Sequence, residues 1–455
     1  MPGSRLALIL LGIALGCASR GPTLTGVGVA ALPRPGRDPL ALHPRPSAPR
    51  ETPRTHPGTD PLPRHDPHAA DPTPGPAQTD VGATATSSAE GAGAGEVWED
   101  PSGRNGDFLA AVRAGTIPVR VLQLGDSHTE GDAWTGALRR ALVRARGDGG
   151  RGFVPVGGRQ EDVVRSLQGP WRVVRSRAGA SDGPGGIGLS RALASDPRAI
   201  LRVSPCAGCE VGTRVTEVTV FYRARPGGGS LRVQVDDGAP RTVSTAQGDA
   251  VSIAVEEGPH AVSVRPVGDG PVEVYGVSLD RAGTGARVES AGIVGAQAHH
   301  LVAEDEATLT AQLARRGPGL VLLAFGTNES VAARRDPAEY AEALRVLVGR
   351  VRAAVPGVTV AIVGPPDTAL RSRTPGLGYI PAPRLEAVIE AGRAVARAEG
   401  VLYVDLRAMM GGAGAMDGWV AARPALAEPD HVHLTRAGYR RLAEAMAAGL
   451  VGPPN

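Results

Sequence analysis

Apolar and polar positions along the chain fall into distinct textures. Residues 107–115 (DFLAAVRAG) predict a short helix, and residues 117–124 an apolar strand that stops abruptly at Gly-Asp-Ser-His. Residues 132–146 place Trp134, Leu138, Leu142 and Val143 at helical spacing. The Gly-rich stretch 147–158 reads as a loop; with no Lys and no following helix it does not read as a phosphate cradle. From about 170 to 285 the period shortens. Segments 171–174, 215–222, 231–235, 250–255, 261–265 and 272–279 are β-rich, divided by turns such as Pro226-Gly227-Gly228-Gly229 and Asp236-Asp237-Gly238. Trp171, Tyr222 and Tyr275 lie in these segments and are read as core aromatics rather than sugar-stacking faces. Beyond 285 the longer rhythm returns, with strands at 320–325, 358–364 and 401–405 and helices at 337–354, 384–399 and 435–448.

Strands alternating with helices predict an α/β domain of three layers, α/β/α, around a parallel sheet buried on both faces. Many short strands with regular turns predict a β-sandwich. The sandwich is therefore expected as an insertion at 170–285, splitting the α/β domain into a first part, 96–169, and a second part, 286–451.

The N-terminal hundred residues have another character. An Arg near the start and an apolar run of ten residues, 6–15, are too short to span a bilayer and suit an export signal. The run ends Ala14-Leu15-Gly16-Cys17, which resembles the bacterial lipoprotein cleavage box. The expectation is a signal peptide over 1–17, lipidation of Cys17 and a place on the outer membrane facing the periplasm, with ordinary secretion or a soluble periplasmic form as the alternative. Residues 18–95 are rich in Pro, Gly, Ala, Thr and Ser and read as a disordered tether with a reach of roughly 50 Å. His43, His56, His65 and His68 lie in it and are read as solvated rather than as metal ligands.

Charge changes the picture little. A net charge of +3 gives no broad pull toward nucleic acid, and the basic residues are all Arg. The three cysteines include the pair Cys206 and Cys209. A zinc site wants further ligands at suitable spacing and a redox motif wants a βαβ setting, so in an oxidising compartment the CxxC is read as a local structural disulfide. No metal or cofactor is called for, and a monomer is expected.

The candidate chemistry sits at predicted strand ends, where open α/β sheets place their ligands. Ser127 follows the first strand in VRVLQLGDSHTE, and Asp430 stands three residues before His433 in DHVHLTRAGY. A serine nucleophile needs a base to take its proton, and the base needs an orienting partner; Ser127, His433 and Asp430 supply those roles. His431, beside Asp430, is a second candidate base. An oxyanion needs fixed donors, and the backbone N–H of Ser127, the N–H of Gly292 in ESAGIVGA and the side chain of Asn328 in FGTNE are the candidates.

This ordered set resembles the SGNH, or GDSL-type, hydrolase superfamily, with its blocks at Ser127, Gly292, Asn328 and His433 and with Asp430 as the DxxH acid. It does not resemble the α/β-hydrolase elbow, which has Gly where Thr129 stands. GDSHTEGD at 125–132, GRGF at 150–153, residues 277–279 and the 430–439 block are similar to bacterial peptidoglycan O-acetylesterases that carry an inserted carbohydrate-binding-like β-sandwich. The resemblance covers about 105–450 and departs at Val294, where a polar residue is expected. It implies a metal-independent serine esterase that removes O-acetyl groups from peptidoglycan through an acyl-serine intermediate. Two other readings stay open: an esterase of another acetylated polysaccharide such as capsule or xylan, and a non-catalytic glycan-binding lipoprotein.

Overall fold

The computed structural model describes residues 97–176 and 183–452. The expected signal peptide 1–17 with Cys17, and the expected tether 18–95, lie outside the described residues.

At the centre is a five-stranded parallel sheet. Its order is Arg287–Gly292, Arg120–Gly125, Leu320–Ala324, Thr359–Gly364 and Leu402–Asp405. These strands are near-continuous apolar runs because both faces are covered. Successive side chains of one strand enter opposite cores. Leu122, Leu124, Val321 and Leu323 pack toward the helices Pro337–Ala354 and Leu385–Glu399. Val121, Leu320 and Leu322 pack toward Ala133–Arg146 and Arg436–Val451. The result is the expected three-layer α/β/α arrangement. Helix starts follow local chemistry: Asp336 accepts the Ala338 N–H at 2.9 Å ahead of Pro337, and Thr435 Oγ1 accepts the Gly438 N–H at 3.2 Å.

Between the first strand and its neighbour Arg287–Gly292, the chain builds two antiparallel sheets. One runs Ala250–Gly258, Val215–Tyr222, Val272–Asp280, Ser190–Ala194 and Arg172–Arg175, with Gly150–Pro155 also pairing to Val272–Asp280. The other runs Val164–Gln168, Ile200–Ser204, Val262–Pro266, Ser230–Val235 and Arg241–Ser244. Val218, Val220 and Val277 of the first share one apolar core with Leu201, Val233 and Val264 of the second.

Two expectations need correcting. The Gly-rich stretch 147–158 is not all loop, since Gly150–Pro155 is a buried strand of the first antiparallel sheet. Val164–Gln168 is a strand of the second. The expected division at 169/170 therefore falls inside the insert, whose sheets take in residues from Gly150 onward. Composition hid the strand. Gly150 and Gly152 adopt φ of 93° and 72°, and Arg151 is fully buried because Asp132, remote in sequence, meets its charge at 2.8 Å.

The insert joins the parallel sheet through a buried ionic cluster. Arg316, ending the helix Glu306–Arg316, reaches Asp280 on the insert at 2.6 Å and Glu289 on the parallel sheet at 2.8 Å. Arg287 adds a bond to Asp280 at 3.1 Å. Cys206 and Cys209 are joined to each other in the loop between two insert strands, with Cα atoms 5.4 Å apart.

Candidate active site

The register of the parallel sheet assembles the site. Gly125 pairs with Gly292 on one side and Ala324 on the other, so the segments carrying Ser127, Gly292 and Asn328 leave three adjacent strands at the same end. Ser127 opens a single helical turn, Ser127–Glu130, capped by Asp126, whose carboxylate accepts the His128 N–H at 3.0 Å. Two bonds tie that turn to the sheet. Gln123 Nε2 donates to Thr129 Oγ1, and Ser290 Oγ donates to the Thr129 carbonyl, each at 2.8 Å.

Opposite this turn, the loop before the last helix presents His433. Its Nε2 lies 3.0 Å from Ser127 Oγ, and its Nδ1 lies 2.7 Å from Asp430 Oδ2. The other carboxylate oxygen of Asp430 accepts the backbone N–H groups of Val432 and His433, both at 2.9 Å. Burial alone would raise the Asp430 pKa; the bonds from His433 and Val432 outweigh it and hold the carboxyl below its ordinary value. The His433 and Asp430 side chains are 40% and 50% exposed, so the acid–base pair opens to the surface. His431 is turned to other partners: it stacks on Tyr379 with ring centres 3.5 Å apart, and its Nδ1 lies 3.0 Å from Asp417.

The oxyanion candidates stand beside Ser127. A Cβ at Gly292 would sit 2.8 Å from the Gly125 carbonyl oxygen and 2.9 Å from that of Asp126, so close strand approach demands glycine. Asn328 Nδ2 donates to the Ala296 carbonyl at 2.8 Å and lies 3.4 Å from Asp126 Oδ2. Behind Asn328, Glu329 accepts the N–H groups of Ala298 at 2.7 Å and Gly326 at 3.0 Å. Burial pushes the carboxyls of Asp126 and Glu329 up to about 7.

Several supporting residues escaped the sequence reading. His128 is buried against the site: its Nδ1 meets Tyr439 Oη at 2.8 Å, and its ring centre lies 5.3 Å from that of His433. Burial first, and the nearby His433 second, push the His128 pKa down to about 3. Asp132, with φ of 53°, pairs with Arg139 at 2.9 Å and Arg151 at 2.8 Å and accepts the Glu161 N–H at 2.7 Å. The available signal is that His128, Asp132, Arg151 and Tyr439 lie in the blocks GDSHTEGD, GRGF and DHVHLTRAGY.

Residues 246–441 match the GDSL-like Lipase/Acylhydrolase family. The matched span holds Gly292, Asn328, Asp430 and His433, while Ser127 precedes it. A solved structure of a peptidoglycan O-acetylesterase is similar with a TM-score of 0.66 and 26% identity, over 78% of this chain and 98% of that one. A family two carbohydrate esterase from Clostridium thermocellum is 12% identical with a TM-score of 0.28, over 63% of this chain and 97% of that one. An aryl esterase of M. smegmatis is 22% identical with a TM-score of 0.26, over 35% of this chain and 75% of that one. No curated protein matches. The chain carries a GDSL-like lipase/acylhydrolase domain of the SGNH superfamily, and it is a carboxylic ester hydrolase.

Proposed function

We propose that this protein removes O-acetyl groups from cell-wall peptidoglycan through an acyl-serine intermediate. The supporting observation is the likeness to a peptidoglycan O-acetylesterase over 98% of that chain. The matched 78% of the present chain is longer than its hydrolase part, so the insert takes part in the likeness.

In the first step Ser127 Oγ attacks the acetyl carbonyl while His433 Nε2 takes the hydroxyl proton. Asp430 holds the ring through Nδ1 and stabilises its protonated form. The N–H groups of Ser127 and Gly292 and the Asn328 amide receive the oxyanion. Collapse expels the sugar oxygen, which takes the proton back from His433. Water, deprotonated by His433, then attacks the acyl-enzyme; the Ser127 Oγ–acyl bond breaks, His433 returns the proton to Ser127 Oγ, and acetate is released. An acid–base pair open to the surface suits an ester carried on a polymer.

For location, the proposal is a lipoprotein tethered through Cys17 by residues 18–95, which would let the enzyme sweep the space around the wall. The test of substrate is acetate release by the full chain from O-acetylated peptidoglycan and from acetylated xylan, side by side. A clear preference for peptidoglycan is expected; release from xylan alone would move the substrate to another polysaccharide, and release from neither would reject both.

A further inference from the structure

His431 takes no part in the proton transfers, yet it stands between Asp430 and Val432 with φ of 58°, a left-handed conformation that strains a residue carrying a side chain. The conformation has a use. The chain reverses over residues 428–433: the His431 N–H donates to the Glu428 carbonyl at 3.1 Å, and the Glu428 N–H donates to the His433 carbonyl at 2.8 Å. In that tight turn one oxygen of Asp430 meets the N–H groups of Val432 and His433, and the other meets His433 Nδ1. A strained residue persists only where its surroundings over-determine it.

His431 is held in that way. Its side chain is only 12% exposed, although Pro429 and Asp430 beside it are exposed. The Tyr379 ring stacks on it, with centres 3.5 Å apart and planes 14° apart. Tyr379 Oη donates to the Pro429 carbonyl at 2.9 Å, and the Ala369 N–H donates to the His431 carbonyl at 3.0 Å. Asp417 Oδ1 lies 3.0 Å from His431 Nδ1, a close contact but not an aligned hydrogen bond.

Ala369 and Tyr379 belong to a hairpin, in which Ala369–Arg371 pairs with Tyr379–Pro381. The hairpin is itself braced. At its base the Asp367 carboxylate accepts the Met416 N–H at 2.9 Å. Leu370 packs on the cluster of Ala382, Leu385 and Ile389, as does Val331, which ends the helical turn carrying Asn328. The hairpin therefore ties the turn that carries the base to the turn that carries an oxyanion donor. Among the described residues, the side chains of Tyr379 and His431 make no hydrogen bond to Ser127, Asp430 or His433.

We infer that Tyr379 and His431 are positioning residues for the ester cleavage: their stacked rings clamp the 428–433 turn to the hairpin and so fix where Asp430 presents His433 to Ser127. This rests on the reading of Ser127, His433 and Asp430 as the triad. The clamp acts through the backbone and touches no reacting atom. A base displaced by about 1 Å can lose about a hundredfold in rate. Because His433 takes a proton in both acylation and deacylation, a loosened clamp slows both steps.

The test is steady-state hydrolysis of p-nitrophenyl acetate by the full chain. Tyr379→Ala, which removes the stack and the hydrogen bond, is expected to lower kcat and kcat/KM together by about tenfold to a hundredfold. Tyr379→Phe, which keeps the stack, is expected to regain all but about threefold of the rate. His431→Gly is the sharper variant, because glycine adopts φ of 58° without strain. If His431 only filled a turn, glycine would leave kcat unchanged; the clamp predicts a fall of about tenfold. Should Tyr379→Ala not fold, His431→Gly decides alone. Unchanged kcat in either variant would overturn the assignment. So would a raised KM with kcat kept, the mark of a residue that binds substrate. Ser127→Ala and His433→Ala are measured alongside. Hydrolysis that survives both rejects the triad itself, whereas hydrolysis that needs both and ignores the clamp variants rejects the clamp alone.

Discussion

Ser127, His433 and Asp430 are joined by two short polar contacts, and residues around them set how they behave. Asn328 already gives one amide hydrogen to the Ala296 carbonyl, which fixes the side chain beside the Ser127 turn. If its second hydrogen meets the oxyanion, Asn328→Ala should lower kcat about a hundredfold to a thousandfold with little change in KM, measured on a soluble acetyl ester. An unchanged kcat would remove Asn328 from the oxyanion site. His128 offers a second test, in stability. Its folded pKa is depressed to about 3 from an ordinary 6.5, so across that interval the unfolded chain binds a proton that the folded chain refuses. Its contribution is full above 6.5 and is lost as pH falls toward 3. Asp126 and Glu329, raised to about 7, work in the opposite sense, and their contribution declines as pH rises from the ordinary carboxylate range to 7. Combining His128→Phe with Tyr439→Phe should therefore flatten the acid-side loss of stability in denaturant melts between pH 6.5 and 4. A slope equal to the wild type would contradict it.

At the scale of elements, legibility followed locality. The strand Leu320–Ala324 announces itself as an unbroken apolar run, and the turn after Gly125 announces itself by a sudden change to polar residues. The acid and base of DxxH stand within one loop, so their proximity is written in the spacing. Gly150–Pro155 was not legible, because its pairing partner Val272–Asp280 and the neutralising Asp132 are both distant in sequence. The helix Glu306–Arg316 was not read either, although Asp305 caps it by accepting the Thr308 N–H at 2.8 Å. The contact of His128 with Tyr439 spans 311 positions and leaves no periodic trace. Asp132 links these elements by neutralising Arg139 and Arg151 behind the nucleophile turn. Asp132→Ala takes from the buried Arg151 the carboxylate it pairs with, while Arg139 keeps Asp162 at 2.7 Å, and urea denaturation should show a loss of about 3–5 kcal/mol. A change below about 1 kcal/mol would mean that the network carries little of the stability.

Across the whole molecule, the insert and the hydrolase part meet at Arg316, which bridges Asp280 and Glu289. Arg316→Met would leave the two buried carboxylates to Arg287, which lies 3.1 Å from Asp280 and 3.6 Å from Glu289. The expected outcome is a loss of about 3–5 kcal/mol and a separation of thermal unfolding into two transitions. A single transition at the wild-type temperature would show that the two parts are joined by other means. Ser127 is the proposed nucleophile of the ester cleavage. The most direct measurement is the rate of acetate release from O-acetylated peptidoglycan by the wild type and by Ser127→Ala. A fall of at least about a thousandfold in the variant is predicted. Release at the wild-type rate by Ser127→Ala would contradict Ser127 as the nucleophile.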